Sequence, residues 1–361
     1  MNENVKQKLF EKNASIIEAV KRRAEIVCPG ALDMIAVTGS FASGDFHEKS
    51  DLDLLIVIGD ERGYELSHCF ILDDVGYDLY CHTWERLEHA AEYDSPFVSK
   101  LLDAKIVYCR EDAVRARFDA IAGKLQQKLH APLSEQDISH AEEYLKRAKE
   151  AYFDLVSCGG GGYDHPLIGV VYALECAVYI LNHAVVRHGV RGVCAELTAM
   201  KMLPDGFLLL HASLFGDHSY GEAKTTAMTL IQNTARLIAE CKNTVSPKQT
   251  LCADNLRGSY EELFSNYRNK LVYAAVHDDP YLSRMTLASA QLFFDEVGEA
   301  VDIDAPGPFD CTAYKDPVSA QRAFDDAMSR FEKNYARAGL SVCRYASVMA
   351  FEDAYIDRKT E

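Results

Sequence analysis

Two short segments decide how this chain is read: Met34-Ile-Ala-Val37-Thr38-Gly39-Ser40 and, ten residues later, Asp51-Leu-Asp53-Leu-Leu-Ile-Val57. Met34 to Val37 is a short apolar run stopped by Thr38-Gly39-Ser40, which reads as a strand feeding a tight loop. Leu52 to Ile58 is apolar without polar alternation, so it predicts a strand with both faces covered, as in the middle of a sheet. Residues two apart on a strand share a face, which sets Asp51 and Asp53 side by side at its start. With their oxygens ~5 Å apart and an effective dielectric of ~20, they repel by roughly 3 kcal/mol. A cation would offset that cost. Hard oxygen ligands with open coordination positions suit Mg²⁺, which keeps waters and takes further ligands from substrate phosphates.

Three neighbours complete the constellation. Asp78, in Gly76-Tyr-Asp-Leu-Tyr80, falls inside a predicted strand, where aspartate is uncommon. Gly39 permits backbone conformations closed to other residues and lets a phosphate approach the main chain. Ser40 offers a hydroxyl and an amide to a phosphate oxygen. Together these parts point to in-line attack on a nucleotide phosphorus with metal ions bridging nucleophile and leaving group.

Outward from this centre, Asn4 to Cys28 has helical apolar spacing ended by Pro29-Gly30. Gly76–His82 and Lys105–Tyr108 read as further strands, and Glu85–Tyr93 and Asp112–Leu129 as helices. The expected class is therefore α+β (α/β): a mixed sheet with helices over residues 1–130, then a helical bundle over 131–245, then a further helical region over 246–361 of unassigned role. In the bundle, Ser134-Glu-Gln-Asp137 resembles a capping box for a helix to about Val156, and Gly159 to Gly162 breaks it. That glycine run follows a helix and lacks a phosphate-loop ending, so it reads as a hinge or connector. Pro166 to His188 is expected to be one apolar helix capped by Gly189, with further helices at 196–202, 207–214 and 222–241. Tyr260–Val276, Tyr281–Val301 and Val318–Ala338 are the helices expected in the last region, with a loop at Asp302–Asp316.

Composition narrows the function. Hydrophobic residues are 48% and charged residues 26%, which excludes disordered and fibrous classes. The net charge of −17 repels phosphate backbones at long range, so no nucleic-acid partner is expected and a small cationic substrate is favoured. Eleven scattered cysteines form no CxxC pair, which fits neither a disulfide framework nor a zinc site and points to a reducing cytoplasm. The first residues lack the apolar core of a signal peptide. Leu167 to Val186 is about membrane length but carries Glu175, Asn182 and His183, so a buried bundle helix is expected and no membrane contact. The histidines make no HxH or HExxH arrangement. Glu175 stands either as a substrate carboxylate or as a buried acid paired with a base.

Gly-Ser, about ten residues, Ser-Asp-x-Asp-apolar and a later strand aspartate resemble the nucleotidyltransferase fold of the DNA polymerase beta superfamily. A catalytic domain followed by a helical bundle is similar to the kanamycin nucleotidyltransferase group. The motif resemblance covers roughly residues 30–80, and residues 250–361 match nothing in it. It implies that Asp51 and Asp53 hold the catalytic Mg²⁺, that Asp78 binds a second metal or acts as general base, and that Gly39 and Ser40 cradle the β- and γ-phosphates of an NTP such as ATP. Many such enzymes place a phosphate-gripping arginine three residues after the motif serine; this chain has Ser43 there, with Lys49 nearby in the loop. The kanamycin group also carries a glutamate base on the first bundle helix, which corresponds here to Glu142, with Lys146 one turn on. The implied reaction moves NMP to a hydroxyl of a small, aminoglycoside-like acceptor and releases pyrophosphate, in a homodimer. Two alternatives stand beside it: an antitoxin-type transfer to a protein side chain, and a non-catalytic nucleotide-binding module.

Overall fold

Leu54–Ile58 and Leu32–Val37 become the two inner strands of a four-stranded sheet in the computed structural model, which describes residues 3–356; Asp51, Leu52 and Asp53 lie just before the strand, so the expected strand start at Leu52 falls two residues early. The order along the chain is α1 (Glu3–Val27), β1 (Leu32–Val37), α2 (Gly39–Ser43), β2 (Leu54–Ile58), β3 (His68–Leu72), β4 (Val75–Leu79), β5 (Cys81–Thr83), α3 (Trp84–Ala90), α4 (Ser99–Leu102), β6 (Lys105–Cys109) and α5 (Asp112–His130). The sheet runs β5-β2-β1-β6, with β1 antiparallel to both β2 and β6 and β2 parallel to β5. Alternate residues explain why the inner runs are apolar throughout. Met34, Ala36, Leu55 and Val57 face a core containing Trp84, Leu87 and Phe118. Ile35, Leu54, Ile56 and Ile58 face Ile16, Val20 and Ala24 of α1 and Val75, Tyr77 and Leu79 of β4. Each such fully buried side chain contributes about 1.5–3 kcal/mol, which fixes the register because a one-residue slip would invert both faces.

The expected single strand at Gly76–His82 is two strands here. β4 pairs with β3 in a separate hairpin, and the chain crosses Tyr80 before β5 joins β2. The hairpin turn is Asp73-Asp74, both in the left-handed region at φ 53° and 59°, the geometry that matches the twist of a two-residue hairpin.

The bundle comprises α6 (Glu135–Ser157), α7 (Asp164–Leu181), α8 (Val193–Thr198), α9 (Phe207–Ser213) and α10 (Tyr220–Val245). α6 opens on the expected capping box of Ser134 and Asp137. Among the described residues, α7 is the one helix whose length and composition would allow a membrane span. Leu167, Val170, Leu174 and Ala177 are instead buried in the bundle core. α7 ends at Leu181, seven residues short of the expected His188. Asn182 stops it: its side-chain amide donates to Val178 O (2.8 Å) and Met202 O (2.7 Å) and its oxygen accepts from Met202 N (2.9 Å), after which His183 turns to φ 45°. Gly189 accordingly opens a short 3₁₀ turn, Gly189–Arg191, rather than capping the helix.

The chain divides into two compact units, Met1–Ser246 and Pro247–Glu361. Segments 1–130 and 131–245 lie together in the first, joined by one core that runs from Met34 of the sheet to Cys241 of α10. The second unit contains α11 (Ala253–Leu256), α12 (Ser259–Leu263), a π-helical turn at Phe264–Arg268, α13 (Asn269–His277), α14 (Pro280–Ala300), α15 (Pro317–Arg337) and α16 (Val348–Ile356). The π turn interrupts the helix expected over Tyr260–Val276. Asp279 and Asp316 cap α14 and α15, each followed by proline at the first helical position. Leu263, Leu271, Leu287, Phe294, Phe324 and Phe331 form this unit's own core.

Candidate active site

Gly39 and Asp53 meet where β1 ends and β2 begins. Thr38 N donates to Asp53 O at 2.9 Å, continuing the ladder one step beyond Val37↔Leu54. Gly39 has φ +60°, and a Cβ built there would stand 1.9 Å from Asp53 Oδ2. The glycine therefore makes room for a carboxylate, a requirement that strand spacing does not reveal. Burial, and after it the charge of Asp51, raises the Asp53 pKa above the ordinary carboxylate value. Two acids are thus electrostatically coupled at the mouth of the sheet. Among the described residues no three His, Cys, Asp or Glu side chains converge into a complete metal site. A pair of carboxylates that leaves other positions to water and phosphate oxygens still fits Mg²⁺, and a cation there would offset the burial and the Asp51 charge that raise Asp53.

Asp78 is exposed on β4, where the Cys69 thiol donates to its Oδ1 at 3.2 Å and the thiol pKa is pushed up in turn. The structure brings Asp51, Asp53 and Gly39 together and leaves Asp78 on the hairpin.

α2 is anchored by aromatic packing. Phe41 stacks on Phe46 with ring centroids 4.4 Å apart, and Phe10 of α1 meets both edge-on. Ser40 O accepts from Gly44 N at 2.9 Å, and the Ser43 hydroxyl lies between Ser40 O and Asp45 Oδ1 at 3.2 and 3.1 Å. Lys49 Nζ donates to Asp73 O at 3.4 Å, which ties it to the hairpin turn. Glu142 is on the face of α6 that meets α10, where it pairs with Lys242 at 2.9 Å.

A cavity of about 410 Å³ is lined by Gly39 and Ser43 together with Asp103, Lys105, Arg187 and His188, Lys105 being the strand neighbour of Val37. Sequence spacing does not bring Arg187 and His188 to this cavity, because the apolar period extends the helix through residues 182–188 where the structure has a loop. The loop is firmly held. Tyr93 OH donates toward Ala184 O at 2.5 Å, and Val186 N donates to Pro96 O at 3.0 Å. Glu196 Oε1 accepts from the backbone amides of Arg187 (3.2 Å) and His188 (3.1 Å) and from the His188 ring (2.7 Å), while Tyr179 OH donates to Oε2 (2.6 Å). Burial alone would raise the Glu196 pKa, and these bonds hold it below the usual value. Arg187 also pairs with Asp103, and Arg191 pairs with Asp45 at 2.8 Å, linking the loop to the end of α2. The one signal in the sequence is a pair of basic residues, Arg187-His188, at the tail of an apolar stretch.

Near α4, Lys100 Nζ lies 2.7 Å from His82 Nε2. Burial, then the charges of Lys100 and Arg86, lower the His82 pKa to about 4.

Residues 14–144 match the family model of the nucleotidyltransferase domain. The match spans both halves of the motif and the sheet that carries them. Among solved structures, the chain is similar to a nucleotidyltransferase-like protein from Exiguobacterium sibiricum 255-15, at 12% identity and a TM-score of 0.35, over 78% of this chain and 92% of that one. No curated protein matches the sequence.

Proposed function

We propose that the chain transfers a nucleoside monophosphate from an NTP, ATP in the first instance, to an acceptor hydroxyl, with release of pyrophosphate. The observation that carries this reading is the pair Asp51–Asp53 set against Gly39, which itself lines a cavity with Lys105 and Arg187. Asp51 and Asp53 would hold Mg²⁺, which would supply charge neutralisation at the reacting phosphate. Gly39 and Ser40 place backbone and hydroxyl at one side of the triphosphate. Lys105 and Arg187, which line the same cavity as Gly39, take the part of the arginine that Ser43 replaces. The acceptor oxygen forms a bond to the α-phosphorus as the α–β bridging bond breaks. Pyrophosphate leaves into the cavity beside Gly39, and the hydroxyl proton goes to a carboxylate base, Asp78 or Glu142, neither of which lines that cavity. The net charge of −17 favours a small cationic acceptor of aminoglycoside type.

The test incubates the protein with α-labelled NTPs, Mg²⁺ and a panel of amine-bearing alcohols, following labelled acceptor and pyrophosphate. Asp51→Asn/Asp53→Asn should lower transfer by at least about a thousandfold. Equal transfer by that double variant would overturn the assignment. Label appearing on protein instead of on small molecules would move the acceptor class to a side chain.

A further inference from the structure

The second unit has seven described arginines, and five of them are engaged: Arg257 with Asp254, Arg268 with Asp325, Arg284 with Tyr314 O, Arg337 with Asn334 and Arg344 with Tyr260. Arg322 and Arg330 make no hydrogen bond, ion pair or ring contact among the described residues, and both line the same cavity of about 570 Å³. Lys315 completes the cationic wall; its charge helps to lower the pKa of its chain neighbour Asp316, but its ammonium closes no ion pair. Three cations in one hollow oppose the general character of a chain with net charge −17.

The cavity also carries two carboxylates, Asp310 and Asp326, neither of them in an ion pair with these cations. Asp310 is spent on its own loop, accepting from Thr312 N at 2.8 Å, from the Thr312 hydroxyl and from Ala313 N at 3.2 Å, which holds its pKa low. Asp326 lies midway between the arginines on α15, four residues from each, and forms an ion pair with neither. Eight residues of helix separate Arg322 from Arg330, about 12 Å along the axis, so the two guanidinium groups suit two anionic groups rather than one. The loop at 306–310 also lines the cavity, and Phe309 N donates to Gln291 Oε1 at 3.0 Å.

We infer that this cavity binds a small molecule bearing two phosphate groups, one held by each arginine, with Asp326 accepting from a hydroxyl between them. Guanidinium groups are suited to phosphate because their paired N–H donors match its oxygens, and charge-assisted bonds of this kind are strong. The cavity shares no residue with Gly39, Asp53 or the 410 Å³ cavity, so the inference stands whether or not the transferase reading does.

The probe is fructose 1,6-bisphosphate, which is not a nucleotide, titrated calorimetrically into the full chain with inorganic phosphate as the comparison. Saturable binding of one equivalent is expected, tighter than inorganic phosphate by at least about tenfold and weakened by added salt. Arg322→Ala and Arg330→Ala should each weaken it about tenfold or more, and Arg322→Lys/Arg330→Lys should recover part of the loss. Because both side chains are exposed, melting curves of the variants should overlay the parent's. Lys105→Ala/Arg187→Ala should leave the titration unchanged. Absence of saturable binding, equal binding by the Arg322→Ala/Arg330→Ala protein, or loss of binding in the Lys105→Ala/Arg187→Ala protein would each overturn the proposal.

Discussion

Gly39 is the residue at which fold and chemistry are least separable. Its positive φ alone makes alanine cost about 1 kcal/mol, and the added methyl would collide with the Asp53 carboxylate. Gly39→Ala should therefore lower NMP transfer at least about tenfold while lowering Tm only modestly; single-turnover rates and melting curves check this, and wild-type rates would remove the glycine from the mechanism. His82 offers a pH test. Its folded pKa, about 4, lies below the ordinary value of 6.5, so the unfolded chain takes up the proton first as pH falls. Stability from this group is complete above 6.5 and declines between 6.5 and about 4, by about 3 kcal/mol at most. NMR titration of the His82 ring should give a midpoint near 4, and His82→Gln should flatten the acid limb of the stability curve.

At the scale of elements, the cationic loop after α7 makes a prediction of its own. Glu196 touches no expected substrate group, yet it ties down the amides of Arg187 and His188. Glu196→Gln should raise the KM for NTP several-fold with little change in kcat, and Lys105→Ala should raise it about tenfold; steady-state kinetics over a range of NTP concentrations separates the two parameters. The same loop marks the limit of what local sequence discloses. The inner strands are legible because both faces of Leu54–Ile58 are buried, and α6 because Ser134 and Asp137 form a local cap. The stop at Asn182 is a tertiary event, made by Met202 twenty residues away, so apolar spacing alone carries the expected helix through to His188. The β3–β4 hairpin is hidden for a different reason: β3 is largely exposed and lacks a buried periodicity, while its turn signal, Asp73-Asp74, is less distinctive than Asn-Gly. At the site, Asp51, Asp53 and Gly39 are legible from spacing, whereas Lys105, Arg187 and His188 come together only through folding.

At the scale of the molecule, the cores of Met1–Ser246 and Pro247–Glu361 share no residue. The two pieces, expressed separately as 1–246 and 247–361, should each give a cooperative thermal transition by circular dichroism, and the first should retain NMP transfer if the reaction belongs to that unit alone. A non-cooperative melt of either piece would show that its core is insufficient by itself.

The ring trio of Phe10, Phe41 and Phe46 reaches beyond packing. It makes the opening turns of the first helix a brace for the short segment that presents Ser40, even though those turns lie far from it in sequence. Trimming a few residues past Phe10, a common step when tidying a protein for crystallisation, would spare the sheet and loosen the segment that carries Ser40. A transfer assay on such a shortened sample would therefore test a different surface from the one the full chain presents.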